Sequence, residues 1–408
     1  MMEVNSYFEL LKLASIPFIA GIVGFITNWL AIKLTFYPIK FWGIRPIFGW
    51  QGIIPSKARK MAEISVDSTL SRIGSVSDIV EQMSPALIGE HILESLAPRT
   101  EELVDEIMLK RHRTLWQNLP RPVKELVYER VKSQLPRIMQ NLVEDIGPKI
   151  ESLFDLKLMV IEKLEDDKTL LNKIFLECGA QEFRFIIKSG LWFGFLFGLP
   201  QLILWYFLPY PWILPVCGFL VGWATNWVAL NMIFRPVKPF KFLGLTIHGL
   251  FLKRQDDVSE SFCKIITEEI LTVDQIAQAM LKGPEAKRTR AIIQRHFENM
   301  VDDTVGLIKP FTQAAMGPKG FAELKEDAGL KAVDLSKTTL RDPLFNQERA
   351  KVVQDIMAQR MKELPSEEFQ DLLRPCFQED EIKLIIIGGI LGAMAGLAQL
   401  AYIFGQSL

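Results

Sequence analysis

The sequence predicts an all-α integral membrane protein with four transmembrane helices in two tandem repeats of the same orientation, each repeat carrying a helical soluble region between its two spans. Three observations predict it. The tripeptide Thr27-Asn28-Trp29 recurs as Thr225-Asn226-Trp227 inside a second apolar segment, an offset of 198 (226 − 28). At the same offset Pro17 pairs with Pro215, Gly24 with Gly222, Ala31 with Ala229, Phe36 with Phe234, Pro38 with Pro236 and Lys40 with Lys238. A second pair of apolar segments obeys it too, Gly190, Gly194, Gly198, Leu199 and Gln201 recurring as Gly388, Gly392, Gly396, Leu397 and Gln399. The repeats are read as residues 1–208 and 209–408.

Composition fits a mixture of spans and aqueous regions. Of 408 residues 49% are hydrophobic and 23% charged, and the mean hydropathy is +0.18, apolar for a soluble chain and dilute for one made of spans alone. The formal net charge of −1 supplies no global field for nucleic acid or an acidic partner. Four cysteines, Cys178, Cys217, Cys263 and Cys376, stand far apart without a C-x-x-C pair, which argues against a disulfide framework or a zinc site.

The first span is expected at about 13–36. Leu13 to Ile32 carries no charge, and roughly 20 helical residues at about 1.5 Å each cross the hydrocarbon layer. A cleaved signal peptide is the competing reading, but the same segment reappears in mid-chain, where it cannot be a signal. Lys33, Lys40, Arg45, Lys57, Arg59 and Lys60 follow, interleaved with Trp42 and Trp50. This is the composition of a cytoplasmic interface. The region at about 56–184 is polar with apolar stripes at spacings of three and four, as in Val76, Ile79, Val80 and Met83, so it reads as helices punctuated by Pro98, Pro120, Pro122, Pro136 and Gly147-Pro148. No alternating β-branched run there argues for strands.

Ser189 to Phe234 is again uncharged and long enough for two spans, with Pro209-Tyr210-Pro211 as the turn between helices at about 185–208 and 212–234. Arg235, Lys238, Lys241, Lys253 and Arg254 then repeat the basic flank. A second helical region, about 255–382, has a Gly/Pro patch at Gly317, Pro318 and Gly320 that reads as a loop. The last span is expected at about 383–405. Both basic flanks lie on one side, so the expected topology has the two soluble regions in the cytoplasm and the 209–211 turn outside. Each repeat holds an even number of spans, so the two enter the membrane in the same sense, unlike an inverted transporter repeat.

Candidate functional residues fall into three groups. Gly24 and Gly222, with Gly190, Gly194, Gly198 and Gly388, Gly392, Gly396, recur at spacings of four on one helix face; such rows let backbones approach closely in lipid. The motif leaves open whether they meet within a chain or between chains. Thr27, Asn28, Thr225, Asn226, Gln201 and Gln399 are the polar groups within the spans, suited to interhelical hydrogen bonds or to lining a polar path or a lipid site. Lys40, Arg45, Lys57, Arg59, Lys60, Arg235, Lys238, Lys241, Lys253 and Arg254 either set topology or contact anionic lipid. His91, His112, His248 and His296 are isolated, and no metalloprotease, P-loop, nucleophile-elbow or dinucleotide motif occurs, so no catalytic, cofactor or metal site is expected.

The T-N-W helix, the turn Gly52-Ile53-Ile54-Pro55 and the closing G-x₃-G-x₃-G-L-x-Q helix resemble the bacterial YheB/YjiN-type membrane proteins, a family of unknown function. Glu182-Phe183-Arg184 resembles that family's entry into the closing helix, whereas Gly249-Leu250-Phe251-Leu252 replaces the G-I-I-P turn in the second repeat. The resemblance implies a protein of the bacterial inner membrane. Two functions are expected of such a chain. The first is a non-enzymatic scaffold that self-associates as a homo-oligomer through its glycine faces. The second is a transporter or lipid-handling protein, with membrane lipids as partners and a polar path around Asn28 and Asn226.

Overall fold

The computed structural model describes residues 2–44, 48–242, 245–306 and 309–404. Nearly all of it is helix. Four helices are long and apolar enough to cross a membrane, at Leu13–Phe36, Ala180–Phe207, Ile213–Phe234 and Glu381–Tyr402, within a few residues of the expected spans. Exclusion of charge over about 20 residues is a local property, which is why it is readable without tertiary information. Pro17 and Pro200 lie inside the first and second of these helices without ending them.

Contacts divide the chain into two compact units. One comprises Met1–Arg72, Ile161–Phe262 and Ala358–Leu408, the other Ile73–Val160 and Cys263–Met357. Both draw on both halves of the sequence, so packing does not follow the division at residue 208.

In the membrane unit the helix Met2–Phe36 packs along Ala180–Phe207, and Ile213–Phe234 along Ser366–Gln399. Large side chains on the outer faces, among them Phe18, Trp192, Leu196, Phe207 and Met394, are exposed, as expected of surfaces that meet lipid. After the first and third spans the chain makes a feature not anticipated above, a short antiparallel hairpin. The strands β1 (Trp42–Ile44) and β2 (Phe48–Trp50) pair Trp42 with Trp50 and Gly43 with Gly49. β3 (Phe240–Phe242) and β4 (Leu245–Ile247) repeat the arrangement. Aromatic and β-branched residues around a Gly/Pro turn are a strand signal, but three-residue strands are too short to show alternation. Each hairpin leads into one helical turn, Ile53–Ser56 or Leu250–Lys253.

The helical unit is built from helices such as Pro85–Leu96, Thr100–Arg111 and Arg121–Ile146 together with Val273–Lys282, Ala286–Val305 and Lys309–Thr339. Starts follow local chemistry: the Ser75 hydroxyl accepts from the Asp78 amide while Asp78 reaches back to the Ser75 amide, a capping box. Thr272 accepts from the Gln275 amide in the same way. Stops follow it less closely. Pro136 sits inside the helix Arg121–Ile146, and the patch expected to be a loop is a kink at Gly317 (φ 75°, ψ 158°) within helix Lys309–Thr339. The core joins Leu135, Ile138 and Met139 to Leu281, Ile293, Phe297, Met300, Ala332 and Val333, so segments about 150 residues apart in sequence close it.

Candidate functional site

The glycine rows of the membrane unit meet each other within the chain. A Cβ added to Gly24 would fall within 3.0 Å of the Gly190 carbonyl oxygen, one on Gly194 equally close to that of Ala20, and one on Gly198 to the Pro17 Cα. Likewise Gly222 lies against Gly388, Gly392 against Gly218 and Gly396 against Leu214. Real Cβ atoms do not tolerate such distances, so these backbones touch. At these positions the glycines are covered by the chain's own helices.

The polar residues of the spans belong to the same seams. Asn28 donates its amide to the Ile186 carbonyl at 2.7 Å, and Asn226 to that of Leu384 at 2.9 Å. Each acceptor lies one helical turn before a seam glycine, Gly190 or Gly388, at which a Cβ would collide with the asparagine amide. The glycine and asparagine signals therefore form one device, in which the missing side chain admits the amide. Thr27 and Thr225 donate to the carbonyls of Gly24 and Gly222 at 3.1 Å. All four are buried, as are Gln201 and Gln399. The Asn28 Oδ1 and Gln399 Nε2 find no hydrogen-bond partner among the described residues.

The basic residues divide. Lys40, Lys60, Arg235, Lys238, Lys241 and Lys253 are exposed, Lys57 is half-buried, and Arg45 lies outside the described residues. Arg59 pairs with Glu63 at 3.2 Å and Glu165 at 3.3 Å, and Lys238 with Glu367 at 3.3 Å. Beside Lys40 the first hairpin exposes Trp42, Ile44 and Phe48, an aromatic and basic mixture suited to the membrane interface. Arg254 stands apart. Its guanidinium donates at 2.9 Å to both carboxylate oxygens of Glu182, a residue only 3% exposed. A buried carboxylate needs such a partner, and Arg254 supplies it at the base of the second span. Its position in a basic run gave no sign of this.

The helical unit holds what the sequence did not reveal, an apolar cavity of about 450 Å³. Leu103, Ile107 and Met108 form one side, Val123, Val127 and Val131 a second, and Phe297, Met300, Val301, Leu324 and Ala328 a third. Polar ties hold the walls: Asp105 accepts from the indole of Trp116 at 2.8 Å and from the Tyr128 hydroxyl, and Lys124 lies over the Trp116 ring at 5.5 Å. Burial and the bond to Asp105 push the Tyr128 phenol well above its usual pKa. On the opposite wall, burial works against the charge of Asp327, but Lys110 at 2.8 Å and Arg111 at 2.7 Å more than offset it and hold its carboxyl below the usual range. His112 Nε2 lies 3.1 Å from the Gly320 carbonyl. A second apolar cavity, about 150 Å³, lies between Ile88, Ile92, Leu142, Ile276 and Met280. Among the described residues no His, Cys, Asp and Glu cluster could hold a metal.

Comparison with known proteins adds the membrane class. The chain is 27% identical over 95 residues to UPF0754 membrane proteins of Staphylococcus aureus strains MRSA252, JH9 and USA300. In each case the match covers 22% of this chain and 25% of the relative, so the chain spans about a quarter of the length of the curated relatives it matches. No family model matches. No solved structure matches. Together with the four apolar helices, these relatives make the chain an integral membrane protein.

Proposed function

We propose that the chain is a non-enzymatic, membrane-anchored lipid-handling protein whose helical unit holds an apolar ligand. The observation that carries this reading is the 450 Å³ apolar cavity in a protein with four spans. Apolar surface lining such a space stays in contact with water unless something covers it, at a cost of roughly 25 cal/mol per Å². An occupant removes that cost, and the bilayer is the nearest store of apolar chains. The lining favours binding over chemistry, because its polar side-chain groups are two threonines, the Trp116 indole bonded to Asp105 and one ion-paired lysine. The site differs from the polar path expected around Asn28 and Asn226, whose amides are committed to backbone carbonyls.

The reading extends to placement in the bacterial inner membrane with the helical unit in the cytoplasm, supported by the exposed lysines and the aromatic hairpin next to the first span. In a cysteine-free background, Tyr210→Cys should then react with an impermeant thiol reagent in intact spheroplasts while Gln140→Cys should not. The reverse labelling would overturn the placement.

For the cavity, full-length protein in amphipol is irradiated with a diazirine-bearing hexadecanol and the labelled peptides are mapped. Labels are expected within residues 100–135 and 297–335, reduced by Val104→Phe and Val127→Phe, which fill the cavity without touching the seams. Labelling confined to the spans would sink the proposal.

A further inference from the structure

The cavity has a polar end. Among the described residues that line it, Lys331 is the one that carries a charge. Its stem belongs to the apolar wall and its ammonium reaches the rim, 27% exposed, where Nζ lies 2.6 Å from both carboxylate oxygens of Glu106. A lysine that buries its methylenes and presents its head at an apolar boundary is the usual arrangement for a long amphipathic side chain. An ammonium has three donors, and Glu106 takes two. Glu106 itself is 57% exposed, so water competes for it and its hold on Lys331 is screened.

Part of the lining suits a flexible chain. Met108, Met300 and Met316 all line the cavity, and unbranched thioether side chains adapt to an irregular apolar occupant where branched ones do not. The 450 Å³ are of the order of one long alkyl chain, at roughly 30 Å³ for a group the size of a methylene. A single cation matches a singly charged head. A phosphate, with more acceptor oxygens, calls for a fork or cluster of donors.

Resting on the reading of this cavity as lipid-binding, we propose that its occupant is one long-chain fatty acid, the alkyl tail among the methionines and the carboxylate on the free donor of Lys331. The bond is charge-assisted and sits at an apolar boundary, which makes it stronger than the same contact in water.

The test is displacement of the photoreactive hexadecanol from full-length protein in amphipol by palmitate, hexadecanol, lysophosphatidylglycerol and dioleoylphosphatidylglycerol. Palmitate, ionised, should bind about tenfold or more tighter than hexadecanol, the value of a hydrogen bond to a charged group. Lys331→Gln should erase that difference while leaving hexadecanol displacement as it was. Lys331→Arg should keep it, and Glu106→Gln should tighten palmitate severalfold by freeing the ammonium. Equal binding of palmitate and hexadecanol would overturn the carboxylate assignment with the cavity reading intact. Preference for lysophosphatidylglycerol would make the head a phosphate, and preference for the two-chain lipid would overturn the single chain. Failure of every ligand to displace the probe, or of the probe to label the helical unit, would overturn the cavity reading itself.

Discussion

The two units solve packing in opposite ways. In the membrane unit the helices Met2–Phe36 and Ala180–Phe207 approach until a single added Cβ would collide with a carbonyl. In the helical unit, helices Thr100–Arg111, Arg121–Ile146 and Ala286–Val305 leave about 450 Å³ between apolar side chains. Lipid tails are as apolar as the helices, so nothing drives spans together except close contact and hydrogen bonds, and small residues supply both. In water, apolar burial drives association without demanding close backbone approach. A bundle so driven can retain a void provided something fills it. The difference teaches where each unit is fragile: the seams tolerate no added volume, and the cavity has volume to spare.

The comparison breaks most visibly at the seams. Gly24→Leu or Gly392→Leu should abolish folded protein or lower its melting temperature severely, since overpacking a filled site costs about 1–3 kcal/mol or more and here the obstruction is backbone. Normal yield and melting of either variant would mean that the seams are not as close as described. Next comes the buried ion pair. Arg254→Ala strands the buried carboxylate of Glu182 and should cost about 3–5 kcal/mol, whereas replacing both residues by apolar ones should recover much of that loss in a double-mutant cycle. Asn28→Ala and Asn226→Ala should each cost about 0.6–2 kcal/mol. The two asparagines bond to different carbonyls, so the double mutant should be additive; strong coupling would show that they share a partner after all.

The helical unit should respond more mildly. The bond from Lys149, with His296 and Arg295 facing the same carboxylate, holds Asp145 down to about 2 from its usual 3.8. A lowered folded pKa contributes stability above the unfolded value that is lost as pH falls through the folded one. Asp145→Asn should therefore lower stability at neutral pH and flatten the acid side of the profile, the two proteins converging as pH falls from about 4 to 2. The smallest effect, and the one opposite in sign to the seams, is expected at Val104→Phe. Filling space in the cavity should leave the melting temperature unchanged or raise it slightly. A loss as large as at Gly24 would erase the contrast between the units.

The sequence by itself determined the four spans, the polar groups within them and the glycine rows. Each rests on residues within one helix: charge excluded over a bilayer's width, or small residues every fourth position on one face. Capping residues such as Ser75 and Thr272 were equally local. Only the tertiary structure decided what those faces meet. Asn28 and Ile186 are separated by 158 residues, as are Asn226 and Leu384, and spacing along a helix carries no information about its partner. Arg254 read as one more lysine-like flank until Glu182, 72 residues away, came to lie beside it. The cavity was hidden for the same reason. Leu103, Val127 and Phe297 each belong to a stripe that predicts a buried face, but whether three buried faces close on one another or around a space depends on how far apart their helices stand, a distance set by contacts distant in sequence.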